Sequence, residues 1–504
     1  MTGVRSHSLD GPRSYSLDTM LHSLLGSRAF LRVYAAFAFF TLLAGDAWRY
    51  SLTWWGFSAI AAVISVISVL LLVHYRDRWR LGGLPLGLLG FVALAALSII
   101  WSFYPGATAL GFASTLLTVI TAVALAVTLN REELLRSLGV VLRIILGLSI
   151  VFELFVSLVL RAPLLPWWTD TSGYDSDNLP KLLYWSRDLI LDGGKIQGIV
   201  GNSSLLGFIS LLGVIVFGLQ LAQRFVRPSS SSTSPIPVAT APQPRAALLG
   251  TVVRALWLAL AFFVMYLTRS ATITIGLVAV IAVLVVVLLL RAATTRRARG
   301  AIWGLVVAVL VGIPVVVNLF SSQILGLLGK SNDLTGRLGI WETVIDMAQQ
   351  RPVFGWGWVS YWVPWVDPFD HLVFHAGVIQ LHAHNAWLDI WMQLGFVGVV
   401  VFGTLVAGAL VRSWWLAVDR PQRVPGEPGR YNVPSLLPLL LLVALLVQSL
   451  AESRLIVEYG LALLVICAVS TKLSRHTTAQ LPGPMDAAAA HPLDPPWVPH
   501  RHHH

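Results

Sequence analysis

About twelve stretches of this chain are each long and apolar enough to cross a lipid bilayer, and no other feature constrains its fold as strongly. A spanning helix needs ~20 mostly apolar residues to cover the hydrocarbon thickness. Stretches meeting that criterion lie at about 29–46, 53–73, 84–102, 107–129, 138–160, 199–222, 249–268, 271–290, 301–320, 386–412, 434–451 and 455–472. Only 12% of residues are charged and 56% are hydrophobic, whereas soluble domains carry about 25% charged residues. In lipid, backbone polar groups must be paired within the segment, which selects helices. The expectation is an all-α integral membrane protein of about 12 transmembrane helices. The polar start leads into an apolar stretch read as a first span rather than a cleavable signal. The single cysteine, Cys467, permits no intrachain disulfide.

The net charge of +11 does not point to nucleic acid, because the arginines sit in short loops between apolar runs and act there as orientation signals. Alternate loops hold Arg76, Arg78 and Arg80; Arg131 and Arg136; Arg224, Arg227 and Arg245; Arg291, Arg296, Arg297 and Arg299; and Arg412, Arg420, Arg423 and Arg430. By the positive-inside rule this set is cytoplasmic, and with twelve spans both termini are cytoplasmic too. The organisation expected is a cytoplasmic tail (1–28), a polytopic membrane domain (29–475) and a disordered Pro- and Ala-rich cytoplasmic tail (476–504). Two long loops then lie outside, about 161–198 and a main loop of about 321–384 with amphipathic helical content. Arg227–Arg245 reads as a flexible Pro/Ser-rich loop.

The segment LHAHNAWLDIW, Leu381–Trp391, places His382, His384, Asn385 and Asp389 where the chain re-enters the bilayer. Polar groups there are costly without partners or work. On the same topological map, Asn202 opens a span from outside, Arg269 falls in a very short outer turn, and Arg337 lies in the main outer loop. Glu452 and Arg454 occupy the tight outer turn between the last two spans. Five separated segments thus bring polar side chains to one side of the membrane, and grouped chemistry is what argues a site. Around Arg337, Asn332, Asp333 or Thr335 can cap a helix. Leu338, Trp341, Ile345 and Ala348 predict its apolar face, and Pro352 predicts its end. Trp356, Trp358, Trp362 and Trp365 read mainly as interfacial belt residues, and Asp389 as the partner of a buried polar group.

The stretches GRLGIW…RPVFGWGW, HAHNAWLDIWMQLGFVGVVVF and SLAESRL, in that order, resemble the O-antigen ligase and O-antigen polymerase superfamily of GT-C type integral membrane glycosyltransferases. The resemblance runs over a core of about 198–459, with GNSSLLG similar to the family's Asn-containing segment. At the short outer turn the order Arg269-Ser270 reverses the family's Ser-Arg. The resemblance implies glycan transfer at the outer face of the cell membrane, from a polyprenyl-diphosphate donor, usually undecaprenyl, to a glycan or lipid acceptor. It implies surface polysaccharide polymerase or ligase activity without metal or other cofactor.

The residues fit that outline. Arginine forks match phosphate geometry, so Arg337 and Arg269 are candidates to hold the diphosphate leaving group. His384 is the candidate general base, since a neutral imidazole suits that role near pH 7 and a positive helix end disfavours imidazolium. His382, Asn385, Glu452, Arg454 and Asn202 are candidate substrate-binding residues, with Glu452 also able to orient His384. Each has a plainer reading: lipid-phosphate anchor for the arginines, helix cap for His384, structural pair for Glu452 and Arg454. Two rival functions follow from the same features. A transporter or flippase for lipid-linked oligosaccharide suits twelve spans, but would place polar groups at mid-membrane. A zinc hydrolase could use His371 and His375, four apart as on a metal-binding helix, yet no H-E-x-x-H is present.

Overall fold

The computed structural model describes residues 17–175, 178–225, 244–319, 337–375, 377–418 and 432–479. Most of the expected Pro/Ser-rich loop, the candidate caps Asn332, Asp333 and Thr335, the first part of the main outer loop and most of both tails lie outside the described residues. The helices in chain order are α1 (Leu17–Gly26), α2 (Arg28–Leu43), α3 (Gly45–His74), α4 (Leu86–Leu97), α5 (Pro105–Thr128), α6 (Arg131–Phe155) and α7 (Ser203–Phe225). They continue as α8 (Pro244–Thr268), α9 (Ala271–Ala292), α10 (Arg296–Leu319), α11 (Arg337–Gln350), α12 (Ala386–Val418), α13 (Leu437–Ser449) and α14 (Glu458–Ala479). Among the described residues the only sheet is a hairpin, Phe374–His375 (β1) paired antiparallel with Val378–Ile379 (β2). The protein is an all-α membrane protein.

Every stretch expected to span falls on one of these helices. By length and apolar composition, however, seven described helices qualify, or eight if the pair Met20–Gly26 and Arg28–Leu43, bent by 66°, counts as one crossing. Two shorter apolar helices, Leu86–Ile100 and Val433–Ser449, fall below the length of a full crossing. Seven or eight crossings among the described residues therefore stand against the twelve expected from the sequence; α4 and α13 fall short because turns and 3-10 segments consume residues that an apolar run counts as span. α14 also continues to Ala479, into the segment expected to be a tail.

Local sequence explains several boundaries. Asn130 and Glu133 form a reciprocal capping box at the start of α6, satisfying two orphan donors. Pro105 sits in the first turn of α5, where its missing N–H costs nothing. α14 is apolar all round and its residues Leu461 to Val469 are all buried, as expected of a helix at the centre of a bundle. α7 is likewise central, with 78% of its apolar window buried, whereas the corresponding window of α8 is 11% buried and faces outward.

One side of the bundle is closed by packed loops. The loop after α6 is pinned by the buried carboxylate of Glu153, which accepts from the backbone N–H of Gln197 (2.8 Å) and Gly198 (2.6 Å) and from Ser186 Oγ (2.8 Å). α11 packs on the base of α12 over a second, smaller core that includes Ile340, Val344, Met347, Ala348, Trp362, Phe369 and Met392. The buried face of α11 is thus Ile340, Val344, Met347 and Ala348. Of the expected face, Ala348 is buried, Trp341 and Ile345 are half-buried, with the Trp341 indole N–H on the Ala383 carbonyl (3.1 Å), and Leu338 is exposed. At Gly395 the backbone of α12 takes φ 66°, and a Cβ there would lie 2.1 Å from the Val353 carbonyl oxygen. The glycine therefore allows both the kink and the close seating of the loop that follows α11.

Candidate active site

Asn385 caps α12: its side-chain oxygen accepts from the N–H groups of Trp387 (3.0 Å) and Leu388 (3.3 Å). This cap answers the plainer reading of the neighbouring histidine, because the residue holding the helix start is Asn385 and not His384. It also commits the Asn385 side chain to the backbone. His384 stands just outside the helix with φ 51°, in the left-handed region, and its N–H donates to His382 Nδ1 at 3.1 Å. The imidazole is thereby turned away from α12 toward the turn between α13 and α14.

There it meets Glu452. His384 Nδ1 lies 3.2 Å from Glu452 Oε2, and Arg337 Nη2 donates to Glu452 Oε1 at 3.0 Å. One carboxylate thus joins the histidine of the α12 approach to the arginine at the start of described α11. On the opposite edge of the ring, His384 Nε2 lies 3.1 Å from Gln380 Oε1. The orientation of that amide is set by its other end, since Gln380 Nε2 donates to the carbonyls of His375 and Val378 in the hairpin. Both ring nitrogens of His384 therefore face oxygen acceptors. When the ring carries both protons, Nδ1–H donates to Glu452 Oε2 and Nε2–H to Gln380 Oε1.

Burial pushes the Glu452 carboxyl up, but the charge and hydrogen bond of His384, with the Arg337 guanidinium behind them, outweigh it and hold the group at about 2. Burial, and next the charge of His384, push the His382 imidazole well below the usual histidine range. His382 is thus a neutral ring whose Nδ1 accepts and whose proton resides on Nε2. The two histidine rings are 4.1 Å apart.

Asp389 is the anchor beneath this cluster. Fully buried, it accepts from Trp362 Nε1 (2.8 Å), from the N–H of Ala383 (3.0 Å), from Ser453 Oγ and from Gln393 Nε2 (3.5 Å). It ties the histidine loop and the Glu452 turn to the same point of α12, which is the partner role read for it from the sequence. Trp362 and Trp358 are interior residues, each with its indole N–H bonded, Trp358 to Thr115 Oγ1 at 2.9 Å. They are not belt residues, whereas Trp365 is 75% exposed.

Arg454 is placed differently from the expectation. Its guanidinium is engaged by Glu458 (2.8 Å), by Asp46 (3.7 Å) and by the hydroxyl of Tyr361. Arg49 completes the set through ion pairs with Asp46 and Glu458. The ring of Tyr361 lies 6.1 Å from that of His382, so this balanced ion cluster backs the histidines. Arg269 and Asn202 do not join the His384 cluster. Asn202 Oδ1 accepts from Leu205 N–H at 3.0 Å and so caps α7. Arg269, exposed and with φ 46° between α8 and α9, reaches toward Gly193 in the loop after α6. Sequence reasoning missed Gln380, Tyr361, Asp46, Arg49 and Glu458. Asp46 and Arg49 carried a legible signal, two charges at the edge of an apolar run.

Among the described residues, two groups could hold a metal ion by donor type: His382, His384 and Glu452, and the exposed set Asp367, Asp370 and His371. In the first, a cation would compete with Arg337 for Glu452 and with the His384 N–H for His382 Nδ1, so the donor set is poorly matched to one. The helical spacing read for His371 and His375 is not realised, because His375 lies in β1 and His371 pairs with Asp370 at 2.6 Å.

Residues 255–403 match a family model described as O-Antigen ligase. Over 157 residues, 30% of this chain, the sequence is 28% identical to the exopolysaccharide production protein ExoQ of Rhizobium meliloti (strain 1021). The chain covers 35% of that relative's length.

Proposed function

We propose that this chain, whose residues 255–403 match the O-Antigen ligase family model, transfers a glycan from a polyprenyl-diphosphate donor to a glycan or lipid acceptor at the outer face of the cell membrane. The observation that carries this reading is the chain of contacts Arg337–Glu452–His384–Gln380. His384 Nε2 takes the proton of the acceptor hydroxyl, displacing Gln380 Oε1 from that position. The acceptor oxygen attacks the anomeric carbon of the donor, and the bond from that carbon to the diphosphate oxygen breaks. Glu452 stabilises the imidazolium that forms. The polyprenyl diphosphate leaves with its charge on arginine forks, Arg337 at the cluster and Arg269 from the α8–α9 turn. His382 is a neutral hydrogen-bonding neighbour, while Asn385, Asn202 and Arg454 act by holding backbone and loops in place. The step needs no metal.

The same reading takes α4, α10, α13 and α14 as passes, which brings the count to twelve, with both termini cytoplasmic and the His384 cluster outside. The membrane domain covers 29–475 and the ligase-like core about 198–459. The name of the Rhizobium relative, an exopolysaccharide production protein, makes a surface polysaccharide the natural product class. Turnover of purified His384→Asn with a lipid-linked glycan donor tests the base assignment. Asparagine tolerates the left-handed backbone that His384 adopts but cannot take the proton. Loss of general-base catalysis typically costs 10²–10⁴-fold. A folded His384→Asn protein turning over near the wild-type rate refutes the assignment.

A further inference from the structure

A second feature lies at the far end of α11, about 20 Å along the helix from Arg337 at 1.5 Å per residue. Trp101, Arg351, Pro352, Val353, Phe354 and Gly355 line a cleft of about 440 Å³. Its walls are preformed. Trp356 N–H donates to the Met392 carbonyl (3.0 Å), Gly357 N–H to Gln393 (2.9 Å) and Phe396 N–H to Pro352 (2.7 Å), which fixes this loop to α12 at its kink. The lining is almost wholly apolar, and Val353 and Phe354 are each 53% exposed. Arg351 is the one charged group in the lining, and among the described residues it has no carboxylate partner. Its guanidinium carbon lies 3.7 Å from the centre of the Phe103 ring and 5.0 Å from that of Trp356. The cation is thus held against two aromatic rings, which do not use its N–H donors, so these can serve a ligand.

These features select a ligand class. A sugar would bring hydroxyls that find few partners here, because the Trp101 indole N–H already donates to the Phe354 carbonyl at 3.0 Å. A soluble anion would gain nothing from the exposed apolar walls. An amphiphile with a phosphate head gains from both, its oxygens on the guanidinium and its chain over Val353 and Phe354. We infer that this cleft binds an anionic lipid through Arg351, at a site separate from the His384 cluster. Both a membrane phospholipid and a polyprenyl phosphate have this chemistry. No step at His384 runs through Arg351, so the inference stands or falls independently of the proposed reaction.

The test is native mass spectrometry of the full-length protein with dioleoylphosphatidylglycerol, undecaprenyl phosphate or inorganic phosphate as probe. The wild type is expected to retain one of the two lipids. Arg351→Gln and Val353→Asp, which removes the cation or places a carboxylate in the cleft, are expected to lower occupancy on the order of tenfold, the size of a charge-assisted hydrogen bond. Preferential retention of phosphatidylglycerol identifies a phospholipid site, and preferential retention of undecaprenyl phosphate a carrier site. Equal lipid retention in wild type and both variants overturns the inference, as does binding of inorganic phosphate as tightly as either lipid. If Arg351→Gln does not fold, Val353→Asp decides alone, since Val353 is an exposed position.

Discussion

Replacing Glu452 by glutamine removes one charge while keeping the shape of the side chain, and the consequences can be worked from the geometry. The carboxyl is held at about 2 against an ordinary 4.5. At 1.36 kcal/mol per pH unit this is about 3 kcal/mol of favourable interaction with the ionised form, and the 13% exposure of the side chain leaves little solvent screening. In Glu452→Gln, Arg337 loses its counter-ion and the imidazolium formed at His384 loses its stabiliser. If most of that interaction is felt when the proton arrives on Nε2, turnover falls roughly a hundredfold. The assay is single-turnover glycan transfer with purified lipid-linked donor at saturating concentration, with the fold checked by thermal unfolding in detergent. A pH series separates this role from a packing role. A carboxyl whose folded value is depressed contributes stability that is fully present above 4.5 and is lost as pH falls toward about 2. The wild type should therefore lose stability across that window and Glu452→Gln should lose less. A folded Glu452→Gln enzyme within about threefold of wild-type turnover would refute the argument that Glu452 supports the charge on His384.

Arg337→Ala should weaken binding of a polyprenyl-diphosphate lipid more than Arg337→Lys does, because lysine keeps the charge and loses the fork; equal binding in all three proteins, by lipid titration, would make Arg337 a structural partner of Glu452 only. Asp389→Ala leaves four donors without their acceptor and should cost about 3 kcal/mol or more of stability, at 1–3 kcal/mol per orphaned buried group, read as a lowered Tm; Asp389→Asn, which keeps one oxygen, should cost less. A cysteine at Asp370 should react with an impermeant thiol reagent added outside and one at Arg297 should not, against a low background because Cys467 is buried; reversed labelling would invert the membrane orientation and remove the outer-face reading.

How far the sequence carries depends on the range of the interaction. Helix positions were legible because apolar runs are local, and every expected span falls on a helix. The number of crossings was less legible, since α4 and α13 are short and the run-counting criterion does not see the 3-10 turns that flank them. The face of α11 was read only in part because Leu338, Trp341 and Ile345 recur at helical spacing as well as Ile340, Val344 and Met347 do, and only packing against α12 chooses between them. His384, Arg337 and Glu452 could be grouped because they fall on one side of the alternating loops. Gln380 and Tyr361 could not, because a hairpin and a buried loop position bring them to the histidines. The interior placement of Trp358 depends on contacts with Thr115 of α5, more than two hundred positions away in the chain, where Gly111 lets the loop approach within contact of the helix backbone.

The distribution of charge around the site says which cations are available to a diphosphate. Arg49 and Arg454 face Asp46 and Glu458, two positive charges against two negative, and all four are drawn into one cluster. A diphosphate entering there would have to break ion pairs without finding an uncompensated charge, and leaving a carboxylate buried and unpaired is costly. Arg337 differs because its partner is shared: Glu452 binds it through one oxygen and His384 through the other. In the proposed reaction, donor phosphate oxygens compete with Glu452 for Arg337 while Glu452 keeps its contact with His384. Arg269, exposed and without a carboxylate partner among the described residues, brings a cation that no acid has to release. Donor binding and orientation of the base are then coupled through a single carboxylate, which is why a change at Glu452 should disturb both the leaving-group side and the acceptor side of the transfer.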